Sequence, residues 1–98
     1  MLTLIKRNAE GQPSTAFHRL MDLAVGAGAQ LWYHGDFDWP GVAIAADVIA
    51  RYGGRPWRMS ASDYRSAASE GVRLTGEPVK APWDPGLLEA MRATGRVV

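Results

Sequence analysis

Short apolar runs and longer segments of helical period alternate along this chain, and Gly, Pro or Asn separates one from the next. That alternation restricts the possible folds more than any other feature. "LTLIKR" (Leu2 to Arg7) has strand length and is bounded by Asn8 and Gly11. "GQPST" follows, with Pro13 near a first helical turn and Ser14 and Thr15 as capping hydroxyls. "AFHRLMDLAVGAG" then sets Phe17, Leu20, Met21 and Val25 at helical spacing and ends at Gly26 and Gly28. "AQLWYHGD" is the second strand. "GVAIAADVIARYGG" is a helix with a wide apolar face, closed by Gly53 and Gly54. "RPWRMS" is a third short strand, placed at an edge by Pro56. "SASDYRSAAS" is a short helix. A loop runs from Gly71 to Pro82. A last helix is capped by Asp84, with Pro85 at its first position and Leu87, Leu88 and Met91 facing inward. "RVV" at the end has the character of another strand. Strands alternating with helices imply an α/β fold: a parallel sheet of about three strands with helices on both faces.

The chain's 98 residues allow one small domain, and with 47% of them apolar it is globular rather than disordered. A net charge of +1 gives no overall electrostatic footprint for nucleic acid and leaves only a local basic patch open. There is no cysteine, which removes disulfides and thiolate metal sites and suits a cytoplasmic location. No apolar run approaches the ~20 residues that span a membrane. The charges of "MLTLIKR" follow its apolar residues, the wrong order for a signal peptide.

In an open parallel sheet, ligands bind beyond the carboxyl ends of the strands. Two loops belong there: "EGQPST" after the first strand and "GDFDWPG" after the second. Side chains two apart on a strand point the same way, so His34, Asp36 and Asp38 share a side while Phe37 turns inward. Paired carboxylates repel unless a cation lies between them. Magnesium takes oxygen ligands and needs only one or two carboxylates besides water and phosphate. The helix starting near Pro40 and Gly41 turns a positive dipole end toward a phosphate. The same residues also read as architecture: Asp38 as a helix cap and Asp36 as a turn residue. His34 reads as a packed or hydrogen-bonded histidine. Glu10, Gln12, Ser14 and Thr15 form a polar loop whose simplest role is capping. Trp32, Trp39, Trp57 and Trp83 could stack bases, but more often such residues fill a core and its rim. Arg51, Arg55, Arg58 and Arg65 could face phosphate or simply be solvated.

At Gly11, Pro13, Ser14, then Asp36, Asp38, Pro40 and Gly41, the sequence resembles the Toprim fold of topoisomerases, primases and related nucleases. The likeness is strongest to the A subunit of type VI topoisomerase and its meiotic double-strand-break relative. Residues 10 to 95, through "GQPS", "YHGDFDWPG", "RPWRMSASDY" and "APWDP", look like the Toprim-like C-terminal domain of an uncharacterised bacterial family. That family is related to the nuclease subunit of the Wadjet anti-plasmid defence system. The resemblance implies a magnesium-dependent (or manganese-dependent) domain acting on DNA phosphodiesters. Asp36 and Asp38 would be its metal-holding and catalytic residues. Gly11, Ser14, Thr15, His34 and Gly41 would lie toward phosphate or DNA.

Toprim domains also carry a glutamate at the end of their first core strand, upstream of the region that matches "EGQPS"; Glu10 is not that residue by position. Residues 1 to 98 therefore read as a single partial Toprim-like domain without its first strand, completed as a homodimer or by another chain. Tyr33, Tyr52 and Tyr64 match no topoisomerase-type nucleophile. A non-catalytic module completed by a partner is one alternative. A haloacid-dehalogenase-type phosphatase is another, opposed by Pro40, which stands where that class has Thr or Val.

Overall fold

The computed structural model describes residues 3–7, 14–67 and 72–98. Among them the alternation becomes a parallel sheet of three strands: β1 (Thr3–Arg7), β2 (Gln30–His34) and β3 (Arg55–Pro56), side by side in chain order. β1 pairs with β2 from Thr3 opposite Gln30 to Arg7 opposite His34. β2 is thus the central strand, and the connections leaving β1 and β2 start next to each other.

α1 (Thr15–Gly26) links β1 to β2, and α2 (Trp39–Tyr52) links β2 to β3. Each connection steps one strand in the same direction, so two right-handed crossovers put both helices on one face. They meet there, with His18 Nδ1 2.5 Å from the Tyr52 hydroxyl. Val42, Ala45 and Val48 of α2 are wholly buried together with Leu31 and Tyr33 of β2. This is the wide apolar face that the Ala-rich segment foretells. α2 stops at Gly53, whose φ of 66° is the left-handed conformation that glycine adopts without a Cβ penalty.

α3 (Ala61–Ala67) and α4 (Pro85–Thr94) pack against each other beyond the carboxyl end of β2, where the Tyr64 ring meets Phe37 edge-on at 5.3 Å. Asp84 caps α4 as expected, accepting from the Gly86 N–H at 2.9 Å. Its second oxygen accepts from the Ala61 N–H at 2.8 Å, so one carboxylate ties the starts of both helices.

Two expectations need correction. The third strand does not run through "RPWRMS". Trp57 N–H donates the last ladder bond, to Tyr33 O at 2.8 Å. The chain then turns away so that Met59, 1% exposed, can fill the core beneath Gly35, whose N–H donates to its sulfur. "RVV" does not join the sheet. Arg96 forms an isolated antiparallel bridge with Arg73, and Val98 O accepts from the Phe37 N–H at 2.9 Å. The C-terminal segment is thereby drawn against the "GDFD" loop.

Candidate functional site at the carboxyl end of the central strand

From Leu31 to Trp39 every odd residue is buried and every even one is half-buried. The pleat of β2 therefore governs exposure through the loop and up to the helix start. Phe37 is 3% exposed, while His34, Asp36 and Asp38 keep access to solvent. The loop is compact because α2 begins almost on top of it. A Cβ at Gly41 would lie 2.2 Å from Asp36 O and 2.7 Å from Asp38 Oδ1, contacts that no side chain tolerates.

Asp38 is the N-cap of α2, with Oδ1 accepting from the Gly41 N–H at 2.6 Å. The capping reading is correct for this residue, and it leaves Oδ2 unengaged among the described residues. It also takes up the Gly41 N–H, and Pro40 brings none. Asp36 accepts no hydrogen bond from any described residue. Desolvation pushes its carboxyl above the ordinary aspartate value, the neighbouring Asp38 charge pushes it further, and His34 opposes both. The one-residue spacing thus adds to desolvation in raising the Asp36 carboxyl.

His34 Nδ1 lies 2.8 Å from Trp57 O. A carbonyl only accepts, so Nδ1 carries the hydrogen of this bond. His34 and Asp36 line an open cleft of about 390 Å³ together with Phe37, Arg58, Asp63 and Val98. Asp63 belongs to a capping box: its carboxylate accepts from the Ser60 N–H at 3.0 Å and the Ser60 hydroxyl at 2.8 Å, while its own N–H donates to Ser60 Oγ. The Ser60 hydrogen bonds hold Asp63 below the ordinary aspartate value against a small opposing desolvation; the charges of Arg58 and His34 act in the same downward direction.

The structure thus brings His34, Asp36 and Asp38 to one end of β2. Ser14 is elsewhere engaged, capping α1 through the Phe17 N–H at 3.1 Å, and Thr15 lines a separate surface hollow with Leu20 and Leu23. Gly11, with Glu10 and Gln12, lies outside the described residues. Among the described residues no three His, Asp or Glu side chains converge as a ready-made metal cage. Trp39 is in the core, and Trp83 packs against it with Nε1 donating to Met59 O at 2.7 Å. Sequence reasoning missed the place of Asp63 in the cleft, although Ser60-x-x-Asp63 is a legible capping-box signal. It left Arg58 between a phosphate contact and solvated charge, and no linear signal marks that residue's position. No described helix is long and apolar enough to cross a membrane. Residues 4–98 match the model of the family described as "Protein of unknown function C-terminus", DUF2399. No curated protein and no solved structure matches the chain.

Proposed function

The chain belongs to the DUF2399 family, and for this member we propose a divalent-cation-dependent function on DNA phosphodiesters, of the Toprim type that its sequence resembles and that Wadjet-related nucleases share. One observation carries the reading. Asp36 and Asp38 follow each other with one residue between them at the carboxyl end of the central strand, where desolvation first and the Asp38 charge second raise the Asp36 carboxyl. Hydrogen bonds could have quenched that pair, as Ser60 quenches Asp63. None does so for Asp36 among the described residues. A hard cation is the partner whose chemistry fits two carboxylates with free oxygens and room for water and phosphate.

Asp36 and Asp38 would hold magnesium, or manganese, as the ligands supplied by this chain. When bound, such an ion polarises a phosphate and stabilises the departing oxygen. Asp38 contributes a fixed orientation, because the Gly41 N–H holds its other oxygen. Asp36 contributes charge whose cost is relieved only on binding.

Titration with magnesium, followed by backbone and side-chain NMR, tests the reading. Resonances of Asp36, Asp38 and Gly41 should move together with one affinity, and Asp36→Asn should abolish the response. A response confined to Asp63, Asp84 or Glu89 would overturn it.

A further inference from the structure

Arg58 is the one non-glycine residue with positive φ among the described residues, at 52°. Its neighbours explain why the backbone turns there. Trp57 is tied on both sides, its N–H to Tyr33 O and its carbonyl to His34. Met59 is tied too, its sulfur to the Gly35 N–H and its carbonyl to Trp83. With residues 57 and 59 both fixed to the end of β2, residue 58 must make the whole turn. That accounts for the conformation and not for the arginine. Glycine or asparagine takes left-handed backbone with less strain. Arg58 is exposed, so its side chain adds nothing to the core.

What the side chain does is line the cleft that Asp36 and Asp63 also line. Its guanidinium lies 4.7 Å over the Trp57 ring, and that ring meets His34 edge-on at 5.8 Å. Stacking on an indole holds the guanidinium plane in place and leaves its N–H edge for an anion. Among the described residues Arg58 makes no ion pair. The cleft therefore holds charge of both signs, the Asp36 and Asp63 carboxylates and a braced cation whose charge acts on Asp63. A phosphodiester matches that combination: one oxygen toward a cation held by the aspartates, another toward the guanidinium, which reads phosphate oxygens two at a time.

We propose that Arg58 is the phosphate contact of this cleft, clamping a DNA backbone phosphate beside Asp36. The inference rests on the DNA-phosphodiester reading above and names the group that holds its substrate.

The test is the fluorescence anisotropy of a labelled single-stranded DNA oligonucleotide with the 98-residue chain, across a salt series, with magnesium and with chelator. Arg58→Gln should weaken binding about tenfold and lower the slope of log affinity against log salt by about one, the signature of a single lost phosphate contact. Arg58→Lys should recover the slope but not the full affinity. Arg51→Gln is the control: it removes the same charge from an arginine stacked over Tyr52 at 5.4 Å, at the far end of α2. It should leave both quantities unchanged. Arg58→Asn should lose binding while keeping or raising the thermal midpoint. Unchanged affinity and slope in Arg58→Gln would overturn the clamp. So would a lowered thermal midpoint in both Arg58→Gln and Arg58→Asn, which would make the residue architectural. Loss of binding in Arg58→Gln but not in Asp36→Asn keeps the clamp and removes the cation. The reverse pattern removes the clamp and keeps the cation. No binding by the wild type removes both.

Discussion

Two helices of this protein start with the same four residue types. α2 begins at Asp38-Trp39-Pro40-Gly41 and α4 at Trp83-Asp84-Pro85-Gly86. In both, the Asp caps the helix by accepting from the Gly N–H, at 2.6 Å in one and 2.9 Å in the other, and Pro occupies the first turn. There the likeness ends. The second oxygen of Asp84 accepts from the Ala61 N–H of α3, so its carboxylate is wholly structural. The second oxygen of Asp38 has no donor among the described residues, and the Asp38 charge acts on Asp36. The same local chemistry is thus closed at one helix and open at the other. What differs is the neighbour: a helix start with an N–H to satisfy beside Asp84, another carboxylate beside Asp38. A cap motif alone does not say whether a carboxylate is architecture or a site. The fate of its second oxygen does.

The sharpest way to break the comparison is at the two glycines. A Cβ at Gly41 would strike backbone and carboxylate oxygens at 2.2 and 2.7 Å, whereas one at Gly86 would meet Asp84 Oδ1 at 3.2 Å and Ala61 Cβ at 3.7 Å. Gly41→Ala should cost about 3 kcal/mol or more of stability, the upper end for overpacking. Gly86→Ala should stay within about 1 kcal/mol, since alanine's better helix propensity offsets a slight squeeze. Urea denaturation of the two variants checks this, and equal losses would mean that the α2 start is no tighter than the α4 start.

The carboxylates give the next largest contrast. Asp84→Ala removes a cap and strands the Ala61 N–H, so it should cost about 2 kcal/mol. Asp38→Ala removes one cap bond and should cost about 1 kcal/mol, less any repulsion it relieves. A larger loss for Asp38→Ala would place a structural role on its second oxygen.

The smallest effect is in pH, and here Asp36 and Asp63 oppose each other across one cleft. Asp63 is lowered from 3.8 in the fold, so its stabilisation is present above that value and is lost as pH falls through the lowered folded value. Asp36 is raised from 3.8, so the folded state holds its proton longer than the unfolded state. Stability contributed there falls as pH rises from 3.8 through the raised value. Urea midpoints between pH 3 and pH 6 should therefore show Asp63→Asn flattening the acid loss. Asp36→Asn should remove a decline just above 3.8. Magnesium should erase the Asp36 component and leave the Asp63 component alone. Identical pH profiles for the two variants would break the contrast.

Sequence alone determined the alternation of strands and helices, the caps at Ser14, Asp38 and Asp84, and the alternate exposure of His34, Asp36 and Asp38. All of these follow from local rules: a two-residue pleat, a side-chain oxygen within reach of an N–H two or three residues on, a glycine where the backbone goes left-handed. The early end of β3 was not legible, because it depends on Met59 finding a core position beneath Gly35, a partner 24 residues away. Nor was the seating of the C-terminal segment, which a bond from the Phe37 N–H to Val98 O decides. Arg58 and Asp63 enter the cleft for the same reason. Arg58 is placed by the ties of Trp57 and Met59 to the end of β2, and Asp63 by the docking of α3 beyond it, and no spacing along the chain encodes either. Which of two like-capped aspartates keeps an open oxygen was settled only by tertiary packing. Packing alone brings the Ala61 N–H to Asp84, whereas the negative charge beside Asp38 comes from Asp36, two residues earlier in the chain.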